Sequence, residues 1–318
     1  MSQNETMRAI VHDEPGEPSV LHLAEVPRPA PLPTEVLVRV HAAGINPVDW
    51  QTVGGSGATA LLGRPVRTPG WDVSGVVEAI GYGVTRFTVG DEVLGMPWFP
   101  RPASAYAEYV TAPSRHVVRK PARLSHTEAA ALPLAALTAW QALVDTADVQ
   151  PGQRVLIHAG AGGVGHLAVQ LAKARGAHVI ATASAGKHAF VAGLGADEVV
   201  DYRAVRFEEA IAPVDVVVDL IGGNTGEHSV AIVKRGGVLV EIPGTSPATV
   251  AAGRAAGVRV AQLLVEPDHA ALEQITALVQ ADRLHVEIAG TFPLEQAATA
   301  LAQGKAGGTQ GKLVLTVV

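Results

Sequence analysis

Two textures of apolar and polar positions divide the chain. From Met7 to about Pro121 the apolar residues come in short runs broken by proline and glycine. Glu35–Ile45 (EVLVRVHAAGI), Val73–Gly81 (VSGVVEAIG), Gly90–Met96 (GDEVLGM) and Ala105–Pro113 (AYAEYVTAP) predict strands. Separated by PRPAPLPTE and VGGSGATALLGRP, they predict an all-β, barrel-like module.

Beyond Leu124 the rhythm changes. A helix expected over Thr127–Val144 precedes RVLIHAG, and apolar runs then alternate with helix-length segments. The runs are RVLIHAG, HVIATAS, EVVDY, DVVVDLIG, GVLVEIPG and VRVAQLLV. Between them lie the helix after Gly165, GKHAFVAGLG, RFEEAIA, TGEHSVAIVKRG and a short helix near Ala248–Ala256. Six apolar strands joined by helices predict right-handed βαβ units and a doubly wound parallel sheet covered on both faces. After a helix at Asp268–Arg283 the tail again holds strand, helix and strand, and is expected to return to the first module. The fold class is therefore α/β, with one domain built from 1–122 and 266–318 and the other from 123–265.

Gly160-Ala161-Gly162-Gly163-Val164-Gly165 follows a strand and opens a helix. That is the context in which G-x-G-x-x-G binds a dinucleotide. Gly160 allows the tight turn, Gly162 the approach of main chain to a pyrophosphate, and Gly165 close packing of helix on strand. The helix start offers N–H groups and a positive dipole end. The competing reading is a glycine turn that only packs.

The second strand of such a unit ends in Asp or Glu when it holds a ribose 2′-hydroxyl. Here it ends in Thr182-Ala183-Ser184, with Lys187 three residues on. A hydroxyl and an ammonium suit a 2′-phosphate, which a carboxylate would repel. Arg203 could add charge and Tyr202 could pack on the adenine. The cofactor expected is NADPH. Read separately, Ser184 and Lys187 are a helix cap and a solvated lysine.

Composition narrows the field. The net charge of −6 and the absence of a basic run make nucleic acid an unfavoured partner. No cysteine is present, which excludes disulfides, thiolate zinc sites and a thiol nucleophile. The first residues, MSQNETMRAIVHDEPG, lack a basic patch followed by an apolar run, and no stretch is apolar for about eighteen residues. The expectation is a cytoplasmic protein with no membrane partner.

The order of a β-rich module, LTAWQALV, VLIHAGAGGVGHLAVQLAK, GADEVVDYR and a terminal GKLVLTV resembles the medium-chain dehydrogenase/reductase superfamily over nearly the whole chain. EVLVRVHAAGINPVDW and PGWDVSGVVEAIGYGVTRFTVGDEVLGM are similar to signatures of its zinc-independent quinone oxidoreductase (zeta-crystallin-like) branch, in a GroES-like N-terminal domain. The resemblance implies a GroES-like β-rich barrel domain plus a Rossmann domain. It places Thr138 near the cofactor phosphates, with Gly163 and Val164 in the glycine turn. Ile221 and Gly222, and Ile242 and Pro243, line the nicotinamide half; Ser184, Lys187 and Tyr202 serve the 2′-phosphate. It also implies a homodimer, through VRVAQLLV at the sheet edge, although burial explains that strand equally.

In the zinc alcohol dehydrogenases of the superfamily, a cysteine stands at the position of Asn46 and a His-Glu pair at Trp71-Asp72. Amide and indole are not zinc ligands, so no metal is expected. Nor does any tyrosine precede a lysine by four residues. Without metal or strong acid, charge on the acceptor oxygen has to be spread by the acceptor itself. A quinone or an α,β-unsaturated carbonyl does this. The expected reaction is hydride transfer from NADPH to such an acceptor, in the cleft between the two domains.

No general acid is assigned. Asn46 is a candidate contact to acceptor or ribose, or an amide that fixes the turn before Pro47. Asp49 is an acid or, preferably, a helix cap. Trp50, Trp71 and Trp98 are candidates for an apolar wall, or core residues. Lys187 has a second reading as a proton donor, by likeness to polyketide enoyl reductases. The remaining alternatives are a zinc-free alcohol dehydrogenase, an enoyl-thioester reductase, and an NADPH-binding protein without turnover.

Overall fold

The computed structural model describes residues 5–317, and the chain forms two units. The first comprises residues up to Leu137, Glu266–Ala281 and residues from Val286 onward; the second comprises Thr138–Val265 and Asp282–His285. Among the described residues no helix is long and apolar enough to cross a membrane.

The first unit begins with the antiparallel pair β1 (Thr6–Val11) and β2 (His22–Pro27). Its main sheet is built around β3 (Glu35–Gly44), nine of whose ten residues carry apolar, glycine or long-stem side chains and which is buried almost throughout. β4 (Asp72–Ile80) pairs along one side of β3. β5 (Glu92–Gly95), β6 (Tyr109–Pro113) and β7 (Val117–Arg119) follow, with β6 on the other side of β3. The Val, Ile and Leu side chains of these strands meet those of helix Ala297–Ala306 in one apolar cluster. Burial of each is worth about 1.5–3 kcal/mol.

The chain next makes six strands of the second unit: β8 (Arg154–Ile157), β9 (His178–Thr182), β10 (Glu198–Val200), β11 (Val214–Asp219), β12 (Val233–Glu241) and β13 (Arg259–Gln262). They lie in the order β10-β9-β8-β11-β12-β13, all parallel. The strand order reverses between β8 and β11, and that switch point is where open α/β sheets bind ligands, outside the carboxyl ends. The crossover helix Gly165–Ala174 is buried from Gly165 to Ala172, where its apolar residues are joined by His166 and Gln170, both hydrogen-bonded to backbone carbonyls. The tail then supplies β14 (Ile288–Pro293) and β15 (Lys312–Thr316), a parallel pair whose β15 joins the first unit antiparallel to β3.

Two predicted helices come out differently. The expected helix Thr127–Val144 is His126–Ala130 followed by Pro133–Trp140 and a π-helical turn Gln141–Thr146. Pro133 has no N–H to continue the first helix and fits the start of the second. TGEHSVAIVKRG is helical only over Thr225–Val230, since β12 already starts at Val233. Residues 123–137 pack with the first unit, where Leu134 N–H donates to Asp72 and His126 reaches Ser74 and Glu92.

Candidate nucleotide site and buried polar cluster

In the second unit, β8 delivers the chain to Ala159, which takes a left-handed φ of 53°. Such a conformation costs about 1–2 kcal/mol for a residue with a Cβ. It is held from outside: Ala159 N–H donates to Thr182 Oγ1 at 3.2 Å, and Gly160 N–H to the Thr182 carbonyl at 2.9 Å. A Cβ on Gly160 would meet the Ala181 methyl at 2.7 Å, and one on Gly165 the Ala159 carbonyl oxygen at 2.1 Å. These two glycines are demanded by packing alone.

Gly162 differs. Its Cβ would find only the Ala159 carbonyl at 3.2 Å and a methyl at 4.0 Å. Gly162, Gly163 and Val164 are half-buried, and no side chain caps the helix that starts at Gly165. The N–H groups of Gly163, Val164 and Gly165 stand at the positive dipole end of that helix, beside a Gly162 that carries no side chain, which fits a diphosphate.

Ser184 and Tyr202 each lie two residues past a strand end, and those ends, Thr182 and Val200, are partners in the β9–β10 register. Lys187 closes a short 3-10 turn after Ser184. Burial first, and then the nearby Arg203 guanidinium, push the Lys187 ammonium below the ordinary lysine range. The Arg203 guanidinium lies 5.6 Å from the centre of the Tyr202 ring, which is about half exposed. Two cations, a hydroxyl and an aromatic face thus gather at the carboxyl ends of β9 and β10, with no carboxylate ending β9.

Across the switch point, Asp219 ends β11 and accepts from Ile221 N–H at 2.8 Å and Gly222 N–H at 3.1 Å. Gly222 has φ 77°, and a Cβ there would sit 3.0 Å from Pro243. Ile242 N–H donates to the Asp219 carbonyl. The loops carrying Ile221, Gly222, Ile242 and Pro243 are thereby packed together. Thr138 is buried in the helix Pro133–Trp140.

In the first unit, Asn46, Asp49, Asp72, Tyr106 and Lys312 are all buried and joined. Asn46 follows β3 and precedes helix Pro47–Val53; its N–H donates to Asp49 Oδ2 at 2.6 Å, closing a capping box. The Asn46 amide donates to Asp72 Oδ2 at 2.8 Å and accepts from Lys312 Nζ, which also donates to the Ile45 carbonyl at 2.8 Å. Lys312 Nζ stands 3.9 Å from Asp72, and Tyr106 O–H donates to Asp49 Oδ2 at 2.8 Å.

Two carboxylates and one ammonium share this enclosure. Burial pushes the Asp49 carboxyl up to about 7, against hydrogen bonds from Asn46 and Tyr106. Asp72 is also raised by burial, but Lys312 opposes that and three donors or charges face its two oxygens. Burial likewise lowers the Lys312 ammonium, while Asp72 first and then Asp49 hold it up.

The three tryptophans are separate. Trp71 is fully buried against Phe99, its indole N–H donating to the Arg101 carbonyl at 2.7 Å, and it offers no ring face to solvent. Trp98 is half-buried, bonded to the Thr111 carbonyl and edge-on to His116. Trp50 packs on the sheet core beside Gly304. Among the described residues no group of three or more His, Cys, Asp or Glu side chains is placed to hold a metal ion.

Residues 32–122 match the family described as alcohol dehydrogenase GroES-like domain, and residues 194–315 that described as zinc-binding dehydrogenase. A mitochondrial NAD(P)H oxidoreductase of Mus musculus is 33% identical over 90% of this chain and 82% of its own. The structure of the quinone oxidoreductase from Coxiella burnetii is 40% identical, covers 99% of this chain and 100% of its own, and superposes with a TM-score of 0.94. The chain belongs to the quinone oxidoreductase family of the medium-chain dehydrogenase/reductases. A mycobacterial relative of known structure, complexed with NADPH, is 30% identical over 98% of this chain and 100% of its own, with a TM-score of 0.86. Like other quinone oxidoreductases in these comparisons, the protein is an NAD(P)H oxidoreductase with a nicotinamide cofactor.

Sequence reasoning missed Lys312, Tyr106 and the group His158, Thr182 and Ser229. Lys312 had one signal: a lysine opening the apolar run KLVLT, where a charge has no place without a partner.

Proposed function

We propose that this quinone oxidoreductase family member uses NADPH to reduce a quinone or an α,β-unsaturated carbonyl without zinc. The observation that carries the reading is the buried Asn46–Asp72–Lys312 cluster. Zinc relatives hold their metal at the positions of Asn46 and Trp71-Asp72; here an ammonium already bonds the Asn46 oxygen, and the indole is packed away. A dication beside a buried ammonium would meet strong repulsion.

The cofactor, when bound, supplies a hydride. With one proton from the medium, a quinone becomes its hydroquinone and an enone its saturated ketone, and the oxidised cofactor leaves. The chain's part is to bind and orient. The turn Gly162–Gly165 would hold the diphosphate through the main-chain N–H groups of Gly163, Val164 and Gly165, with Gly162 leaving room for its approach. Ser184, Lys187, Tyr202 and Arg203 would select the 2′-phosphate and adenine. The Ile221–Gly222 and Ile242–Pro243 loops would set the nicotinamide face. Holding donor and acceptor in one geometry is worth several kcal/mol of barrier.

The test is NADPH oxidation across quinones, enals, enones and enoyl thioesters, with and without a chelator. Turnover of quinones or enones that survives chelation supports the reading. Activity confined to alcohols, to thioesters or to metal-loaded protein refutes it. Cytoplasmic location and a homodimer belong to the same proposal. β13 ends the six-stranded sheet and is only half-buried, so its edge is available to a second copy, and sedimentation would report the dimer.

A further inference from the structure

His158 follows β8 and is buried under the carboxyl edge of the parallel sheet. Its Nδ1 lies 3.1 Å from Thr182 Oγ1, and its Nε2 lies 3.0 Å from Ser229 Oγ. The neighbours decide the direction of every proton. Ser229 O–H donates to the Thr225 carbonyl at 2.7 Å, so its oxygen accepts from His158 Nε2–H. A neutral ring with its proton at Nε2 has only an acceptor left at Nδ1, so the Thr182 hydroxyl, which accepts from Ala159 N–H, donates its own proton there. One tautomer satisfies all four bonds. Burial, opposed by Asp219 and Glu208, brings the imidazole down to about 4, so that this neutral form persists at ordinary pH.

The chain of bonds has two ends that matter. At one end Thr182 holds the N–H groups of Ala159 and Gly160, where the glycine turn begins. At the other, Ser229 grips the first turn of helix Thr225–Val230, whose Thr225 N–H bonds the Gly222 carbonyl at 3.3 Å. The imidazole therefore bridges from the end of β9, past β8, to the helix after β11. Phe207 lies edge-on to its ring at 4.6 Å and holds it in plane.

We propose that His158 is a positioning residue that sets the separation between the glycine turn and the Ile221–Gly222 loop. The distance a dinucleotide must span from diphosphate to nicotinamide follows from that separation. The inference rests on the NADPH reading given above. It assigns His158 no contact with acceptor or cofactor.

The experiment compares the full chain with His158→Phe, which keeps the ring and loses both bonds, and with His158→Gln, which can accept from Thr182 and donate to Ser229. Three quantities are read: nitrogen-15 chemical shifts of His158 without cofactor, dissociation constants for NADPH and for adenosine 2′,5′-bisphosphate, and kcat with 1,4-benzoquinone. The wild-type spectrum is expected to show a neutral imidazole protonated at Nε2. His158→Phe should bind adenosine 2′,5′-bisphosphate within twofold of wild type yet lose at least tenfold in kcat, and His158→Gln should recover most of it.

A His158→Phe protein with kcat within twofold of wild type overturns the proposal. So does an Nδ1-protonated ring, or equal weakening of both nucleotides, which marks general damage to the unit. If His158→Phe does not fold, Ser229→Ala is read by the same criteria. Wild-type protein that binds neither nucleotide refutes the NADPH reading itself, an outcome separate from any difference among variants.

Discussion

Gly162 and Gly165 stand three residues apart and answer to different constraints. Adding a methyl at Gly165 drives it to 2.1 Å from a backbone oxygen, so Gly165→Ala is expected to destabilise the second unit whether or not cofactor is present, by about 1–3 kcal/mol. At Gly162 the nearest obstacle is a single oxygen at 3.2 Å. Gly162→Val should therefore keep its melting temperature within a few degrees while losing NADPH and NADH binding together. Normal binding would make the loop a packing turn. Lys187 tests the other end of the cofactor. Removing a charged partner of a phosphate costs about 1.5–3 kcal/mol, so Lys187→Ala should weaken NADPH roughly ten- to a hundredfold and NADH by less than twofold, measured by fluorescence titration. Equal losses would take the 2′-phosphate away from this lysine.

At the scale of elements, the buried cluster of the first unit joins the ends of three strands. Asn46 follows β3, Asp72 opens β4 and Lys312 opens β15, and each needs the other two to be tolerable away from water. Lys312→Met leaves Asp72 without its counter-ion. The expected loss is about 3–5 kcal/mol in urea unfolding, and smaller at pH 5 than at pH 8 because Asp72 can then take up a proton. A loss independent of pH would mean that packing of the lysine stem matters more than its charge. The cap and the strand ends were legible separately: Asn46 with Asp49 reads as a helix start, and the valine-rich runs read as strands. Their meeting was not, because 26 residues separate Asn46 from Asp72 and 266 separate Asn46 from Lys312 along the chain.

Over the whole molecule, two buried groups tilt stability with pH in opposite senses. Asp49 rises from 3.8 to about 7 on folding, so between those values the folded chain keeps a proton that the unfolded chain has released, and stability falls as pH rises. His158 drops from 6.5 to about 4, so between those values the unfolded chain binds a proton that the folded one refuses, and stability rises with pH. Between pH 4.5 and 6.5 each group differs by roughly one proton between the folded and unfolded chain, in opposite senses, so the two slopes nearly cancel there. Asp49→Asn should expose a rising slope and His158→Gln a falling one, in unfolding free energies measured at pH 4.5, 5.5 and 6.5. Unchanged slopes would place the titrating protons elsewhere. The sequence by itself determined the change from β-rich to alternating texture, the six parallel strands, the glycine turn and the serine and lysine that replace a carboxylate. All of these are local, because hydrophobic period, turn chemistry and strand ends are written in neighbouring residues. Tertiary structure alone decided that Trp71 is interior, that Pro133 splits a helix the apolar pattern ran together, and that Lys312 belongs with Asn46. It also decided that His158 has one tautomer. Burial and the direction of a hydrogen bond depend on what the rest of the chain brings alongside, and no spacing along the sequence encodes that.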